Sequence, residues 1–184
     1  WITNGDEIVI VDSAHCITPT INYDFAFFSF HPYKPICSSD GGMISTNDDD
    51  ATNYFCSYRN FGRHSIDNTY DIIQEGFKFY MNNLNATIAL ISSKKYFENL
   101  KIRKENFNLL KSRHNLIEHD SNSSFYFATS IIDKSAEINN KYNLARHYPM
   151  LHKTSYFDSD IKLDNTERLH NKITNLPLWY EYFK

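Results

Sequence analysis

Cysteine is scarce in this chain of 184 residues: there are three, Cys16, Cys37 and Cys56, and no two form a Cys-x-x-Cys pair. An odd number without that spacing argues against a disulfide framework or a structural zinc site and fits a reducing, cytoplasmic setting. Apolar runs are short. None approaches the roughly 18–20 residues a helix needs to cross a bilayer, and the start carries no signal-peptide pattern, so no membrane partner is expected. Positive charge is not concentrated either. Lys and Arg number 19 against 22 Asp and Glu, for a net charge of −3, which leaves no electrostatic case for nucleic acid. The eight histidines show no His-Glu-x-x-His or other tight spacing. A metal-dependent hydrolase built on Asp12, His15 and the other histidines is therefore the weakest reading open, and no metal ligand is assigned. Asn85-Ala-Thr and Asn122-Ser-Ser match the glycosylation pattern, but in so asparagine-rich a chain they read as chance. Internal repeats and low-complexity segments are absent.

What is present is enough for a packed core: 41% of residues are hydrophobic and 16% aromatic, a composition that excludes disorder as the default. The first residue is Trp1, and an apolar strand follows within a few residues, which suggests a piece of a longer protein.

Glu7-Ile-Val-Ile-Val11 is a continuous β-branched run, the pattern of a strand buried on both faces of a parallel sheet. It ends at Asp12-Ser-Ala-His15. Ala26 to Phe30 is a second run, with Ser29 and His31 at its end, and Met43 to Thr46 a third, entered through Gly41-Gly42. Between the last two lies Pro32-Tyr-Lys-Pro35. Proline restricts its own φ and moves the preceding residue out of the helical region, so Lys34 sits on a stiff, non-helical segment.

Asn47 and the three aspartates after it predict a helix from about Asp48 to Asn60, capped by Asn47 and stopped at Gly62. Residues 63–76 read as a long polar loop. From Asn82, apolar residues at helical spacing continue through Phe107 and Leu110 to about Ile117, as two helices or one bent helix. Ser124 to Ile132 alternates like a half-buried strand. A short helix is predicted from Ala136 to Tyr142, a loop at Tyr148-Pro149, and a helix from Asn165 to Ile173 that Pro177 ends. The character changes near Lys95, giving residues 1–95 an α/β part and 96–184 a helical connector and a small α+β part.

In open α/β sheets, ligands sit at the carboxyl ends of neighbouring strands. Asp12, Ser29 and Lys34 would then share one crevice. Each has an ordinary reading alone: Asp12 as a helix cap, His15 as a packing histidine, Ser29 as a turn residue, Lys34 as a solvated loop lysine. Together, a carboxylate, a hydroxyl and a lysine suit pyridoxal 5'-phosphate (PLP). The amine bonds the aldehyde, the carboxylate pairs with the pyridine nitrogen, and the hydroxyl donates to the phosphate.

The chain resembles the DegT/DnrJ/EryC1/StrS family of sugar-nucleotide aminotransferases. Val11-Asp-Ser-Ala-His15 is similar to the family's acidic strand end. Phe28-Ser-Phe-His-Pro-Tyr-Lys34 with Ser39-Asp-Gly-Gly42 resembles its serine-to-lysine segment and its Gly-Glu-Gly-Gly turn. Arg59-Asn-Phe-Gly-Arg63, Gly76-Phe-Lys-Phe-Tyr-Met-Asn-Asn-Leu-Asn-Ala86, His147-Tyr-Pro-Met-Leu-His152 and Asn175-Leu-Pro-Leu178 resemble later motifs.

The resemblance implies an α/β fold: part of a PLP fold-type-I large domain, mostly parallel sheet with helices, followed by a small α+β C-terminal domain. It implies a transaminase that acts on a nucleotide-linked keto-sugar for amino-sugar or polysaccharide biosynthesis, with glutamate as the usual amino donor, working as a homodimer. Lys34 would be the Schiff-base lysine and proton carrier. Asp12 would bind the pyridine nitrogen, His15 would lie near the ring, and Ser29 would bind the phosphate. Lys78 would reach across a dimer interface to the partner's phosphate, although much of the family has Asn there. The retained lysine speaks against the family's dehydratase-like members. Ser39 and Asp40 replace Gly and Glu, a mild departure. The family's N-terminal half has no counterpart, so this chain alone is expected to bind PLP poorly and to aggregate. The rival reading from another class is a non-catalytic remnant or interaction module of the same fold.

Overall fold

The computed structural model describes residues 7–17, 21–132, 139, 144, 148–157 and 160–178. The chain divides into two compact units, Trp1–Tyr96 and Phe97–Lys184.

The first unit is built on a three-stranded sheet of β1 (Ile10–Asp12), β2 (Phe25–Ser29) and β3 (Gly42–Ser45), in that spatial order. β1 and β2 are parallel, with Asp12 opposite Phe27, and β3 returns antiparallel, with Ser29 opposite Gly42. The return needs no crossover because the chain between β2 and β3 folds back on itself. Phe30 N–H donates to Gly41 O at 2.9 Å, and Ser38 N–H to Phe30 O at 2.8 Å. Antiparallel neighbours can be joined directly in this way, whereas parallel ones cannot.

β1 is not buried on both faces, as its unbroken apolar run suggests. Ile8 is 70% exposed and Ile10 64%, while Ala26 at the centre of β2 is fully buried. The reason is position: among the described residues, β1 lies at an edge of the order β1-β2-β3, whereas β2 has a strand on each side.

Helix α1 (Asp49–Tyr58) carries two acids in its first turn, and its N-cap is Asp48 rather than Asn47. The Asp48 carboxylate accepts from Ala51 N–H at 2.9 Å. The helix ends where Gly62, at φ +71°, donates to Ser57 O. The polar stretch after it is a hairpin rather than a loop, β4 (Arg63–Ile66) against β5 (Thr69–Ile72). Asp67 opens its two-residue turn at φ +51°, a left-handed conformation that Asp tolerates better than most residues. An antiparallel bridge pairs Asn60 with Lys78. Helix α2 (Asn83–Lys94) starts at the N-cap Asn82, whose side chain accepts from Asn85 N–H.

A break at Lys95 separates α2 from α3 (Tyr96–Lys111), so the apolar pattern is two helices. α3 stops before Leu116 and Ile117. Leu116 instead bridges Ser130, and Ile117 N–H donates to Thr129 O. In the second unit β6 (Phe127–Ile131) pairs antiparallel with β7 (Ile173–Pro177). β7 occupies sequence read as a helix end: α4 spans Asp164–His170 only, and Thr174 and Leu176 are buried in alternation with their neighbours. That period of two is the signature of a half-buried strand. Phe107, Leu110, Leu116, Phe125, Ala128, Leu176 and Leu178 form its core. A single 3-10 turn (Leu151–Lys153) follows the predicted loop at Tyr148-Pro149. The short helix predicted from Ala136 to Tyr142 lies outside the described residues, apart from Asn139.

Candidate active site

β1 delivers Asp12 to the carboxyl end of the parallel pair. The next residue extends the ladder once more, with Ser13 N–H donating to Phe27 O at 2.8 Å. The chain then turns, and Asp12 Oδ1 accepts from Ala14 N–H at 2.9 Å. This local bond is one that short acidic side chains make readily, and it steadies the carboxylate while leaving it exposed. His15 lies on the same turn, also exposed. β2 runs two residues past the Asp12 register to Ser29, about 7 Å along the strand at the usual rise. The Ser29 hydroxyl is half-buried and accepts from His31 N–H at 3.4 Å.

Beyond Ser29 the backbone makes a tight turn. Lys34 N–H donates to His31 O at 2.9 Å, and His31 Nδ1 accepts from Tyr33 N–H. Pro35 and Ile36, which follow the lysine, are buried. Cys37 N–H donates to the Ser92 hydroxyl of α2 at 3.1 Å. The loop closes at Gly41, whose φ of +103° only glycine adopts without strain.

Lys34 is thus carried by a segment with little freedom. Burial lowers the pKa of its amine below the ordinary lysine value, and the Asp12 carboxylate opposes that by favouring the ammonium form. Desolvation is the larger effect, so more of the amine is unprotonated at a given pH than in a free lysine. An unprotonated amine is the nucleophilic form that attacks a carbonyl. The structure therefore brings Asp12 and Lys34 into electrostatic contact, with Ser29 and His15 on the same pair of strand ends.

Lys78 is not part of this group. It is exposed, its Nζ lies 5.6 Å from the Tyr80 ring centre, and it lines an open groove of about 990 Å3 with Asp40, Arg59, Tyr80 and Asn82. Asp12, His15, Ser29 and Lys34 do not line that groove. Among the described residues, no three His, Cys, Asp or Glu side chains gather as metal ligands, and no helix is long and apolar enough to cross a membrane. The Cys37–Ser92 bond has no counterpart in the sequence reading. Its acceptor is a helix serine and its donor a backbone amide 55 residues away, a pairing that leaves no mark on residue type or spacing.

A family model described as the DegT/DnrJ/EryC1/StrS aminotransferase family matches residues 6–182. Solved structures share the fold. AtS13 from Actinomadura melliaura is 20% identical, with a TM-score of 0.77 over 97% of this chain and 54% of its own. PseC from Helicobacter pylori, an aminotransferase involved in the biosynthesis of pseudoaminic acid, is 18% identical, with a TM-score of 0.77 over 94% of this chain and 54% of its own. The PLP form of the putative sugar aminotransferase Spr1654 from Streptococcus pneumoniae is 22% identical, with a TM-score of 0.72 over 93% and 52%. The chain spans about half the length of the structures it matches.

Proposed function

The chain belongs to the DegT/DnrJ/EryC1/StrS aminotransferase family, and from that premise we propose that it forms the lysine-bearing part of a PLP-dependent transaminase acting on a nucleotide-linked keto-sugar, with glutamate as amino donor. The observation that carries this reading is the Lys34 amine, depressed by burial and facing the charge of Asp12. A carboxylate at one strand end, a hydroxyl at the next and a desolvated amine on the following loop make a donor set that suits the cofactor. When bound, PLP supplies an aldehyde and an electron-withdrawing ring that stabilises the carbanion left when a proton departs.

The roles of this chain's own side chains follow from their chemistry. Asp12 holds the pyridine nitrogen in its protonated form. Ser29 donates its hydroxyl to the phosphate, and His15 bounds the ring side. Lys34 Nζ would be the amine that holds the cofactor through its aldehyde and would carry the proton. Its lowered pKa suits a group that must accept a proton as well as give one.

Lys78 serves a second copy. Asn82, at the groove that Lys78 lines, and Ser92, at the Lys34 loop, are ten residues apart on one helix, about 15 Å at the usual rise. Asp12, His15, Ser29 and Lys34 do not line that groove, which supports Lys78 acting on a phosphate held by a partner in a homodimer, where a cation beside a dianion is favourable.

A spectrum tests the reading. PLP is added to the complete reading frame that carries this chain, and absorption is recorded before and after borohydride. The expected result is a visible band that reduction fixes on Lys34, found by peptide mapping, and that Lys34→Ala abolishes. Absence of the band in the complete protein overturns the proposal. It leaves instead a non-catalytic remnant of the same fold.

A further inference from the structure

We propose that Ser92 of α2 is a positioning residue for Lys34, fixing how deeply the lysine loop is seated. The inference rests on the assignment of Lys34 above. Between Ser29 and Gly42 the loop is held at its base by backbone bonds within the sheet connection, Phe30 to Gly41 and Ser38 to Phe30. The turn at its tip is local, His31 to Lys34. Both ties lie within the loop and its flanking strands. The bond from Cys37 N–H to Ser92 Oγ, at 3.1 Å, joins the loop to a separate helix, with the Cys37 sulfur 3.9 Å from the same hydroxyl.

Cys37 is three residues from Lys34, with Pro35 and the buried Ile36 between them. Proline removes one backbone freedom from that short span, so a displacement at Cys37 passes to Lys34 with little slack. Ser92 is well placed to serve as an anchor. It sits in the last turns of a 12-residue helix, and its carbonyl accepts from Lys95 N–H at 3.1 Å. The depth at which the loop sits sets how much water reaches the Lys34 amine. It also sets the amine's approach to Asp12, and therefore the protonation state the chemistry needs. A half-buried amide that loses its acceptor keeps its desolvation cost, so loss of the Ser92 hydroxyl is relieved by the loop lifting toward solvent.

The test does not depend on activity. Lys34 is labelled with acetic anhydride across a pH series in the complete protein, without PLP, and read by mass spectrometry. Hydrogen exchange is followed at Cys37. In Ser92→Ala the Lys34 labelling midpoint moves up toward that of an ordinary lysine, and Cys37 exchange speeds up by about fivefold, the equivalent of one net hydrogen bond of about 1 kcal/mol. Ser92→Thr, which keeps the hydroxyl, behaves like the parent. An unchanged midpoint in a folded Ser92→Ala protein overturns the inference, even where borohydride still fixes PLP on Lys34. A shifted midpoint in a protein that takes up no PLP upholds the positioning role and overturns the cofactor assignment instead.

Discussion

Asp12 acts on Lys34 in the direction opposite to burial, and that opposition makes a prediction with a definite sign. Asp12→Asn removes the charge that favours the ammonium form. The Lys34 labelling midpoint is then expected to fall further below the ordinary lysine value, and, on the role proposed for Asp12, PLP retention is expected to weaken. A midpoint that rises instead would show that the two groups do not face each other. The neighbouring Ser13 offers a second test. Ser13 is 1% exposed, and its buried hydroxyl has no hydrogen-bond partner among the described residues. An unsatisfied buried hydroxyl costs about 1 kcal/mol or more, so Ser13→Ala leaves stability unchanged or raises it by about that amount in a denaturant titration. A clear loss of stability would mean that the hydroxyl is bonded. The placement of Asp12 and Ser29 at strand ends was legible because a polar residue ending an apolar run marks a strand end, and that of Lys34 on a stiff loop because Pro32 and Pro35 flank it. Ser13 and Ser92 were not, because what sets them apart is burial in one case and a distant amide in the other.

The β4–β5 hairpin shows why one element escaped the sequence. Its residues are exposed apart from the half-buried Arg63, so no buried stripe imposes an alternation. Across its antiparallel ladder the Arg63 guanidinium lies 4.4 Å from the Tyr70 ring centre and 4.9 Å from that of Phe61. Such contacts contribute about 0.5–1 kcal/mol at exposed sites. Tyr70→Ala is expected to speed amide exchange across 63–72 by about two- to fivefold, with α2 unchanged. β7 escaped for a different reason, since Ile173 continued a helical pattern that ends at His170.

The segment between α3 and β6 carries a pH dependence. His119 stacks on Phe125 with ring centres 5.0 Å apart and meets Phe107 edge-on at 4.9 Å, while Nδ1 lies 2.8 Å from Ser123 Oγ. Burial lowers its pKa, against smaller opposing effects of its bond with the Phe127 backbone and of the Glu118 charge. The unfolded chain then binds more protons than the folded one below about pH 6.5. The stability that depends on neutral His119 is present above that pH and is lost as pH falls toward the lowered folded value. His119→Phe keeps the aromatic stack and is expected to flatten this acid slope in unfolding measured from pH 7 to 5. A slope unchanged in the variant assigns it to other groups.

At the scale of the whole molecule, the edges of the first unit's sheet govern behaviour in solution. Among the described residues, β1 and β3 each have one strand neighbour, and Ile10, Met43 and Ile44 are exposed on them. Unpaired backbone beside exposed apolar side chains is a template for further strand pairing. The apolar runs that announced a sheet in the sequence state how many strands this chain contributes, but not what lies beside them. The solved structures of the same fold are nearly twice as long, so a sheet of three strands is where composition stops being informative. The chain on its own is therefore expected to self-associate. Sedimentation velocity across a concentration series should show assemblies that grow with concentration. Ile10→Lys with Ile44→Lys, which puts charge on both edges, should return most of the protein to the monomer. A monodisperse sample of the unaltered chain holding stoichiometric PLP would overturn this expectation, because it would require both edges and the cofactor site to be satisfied from within these residues.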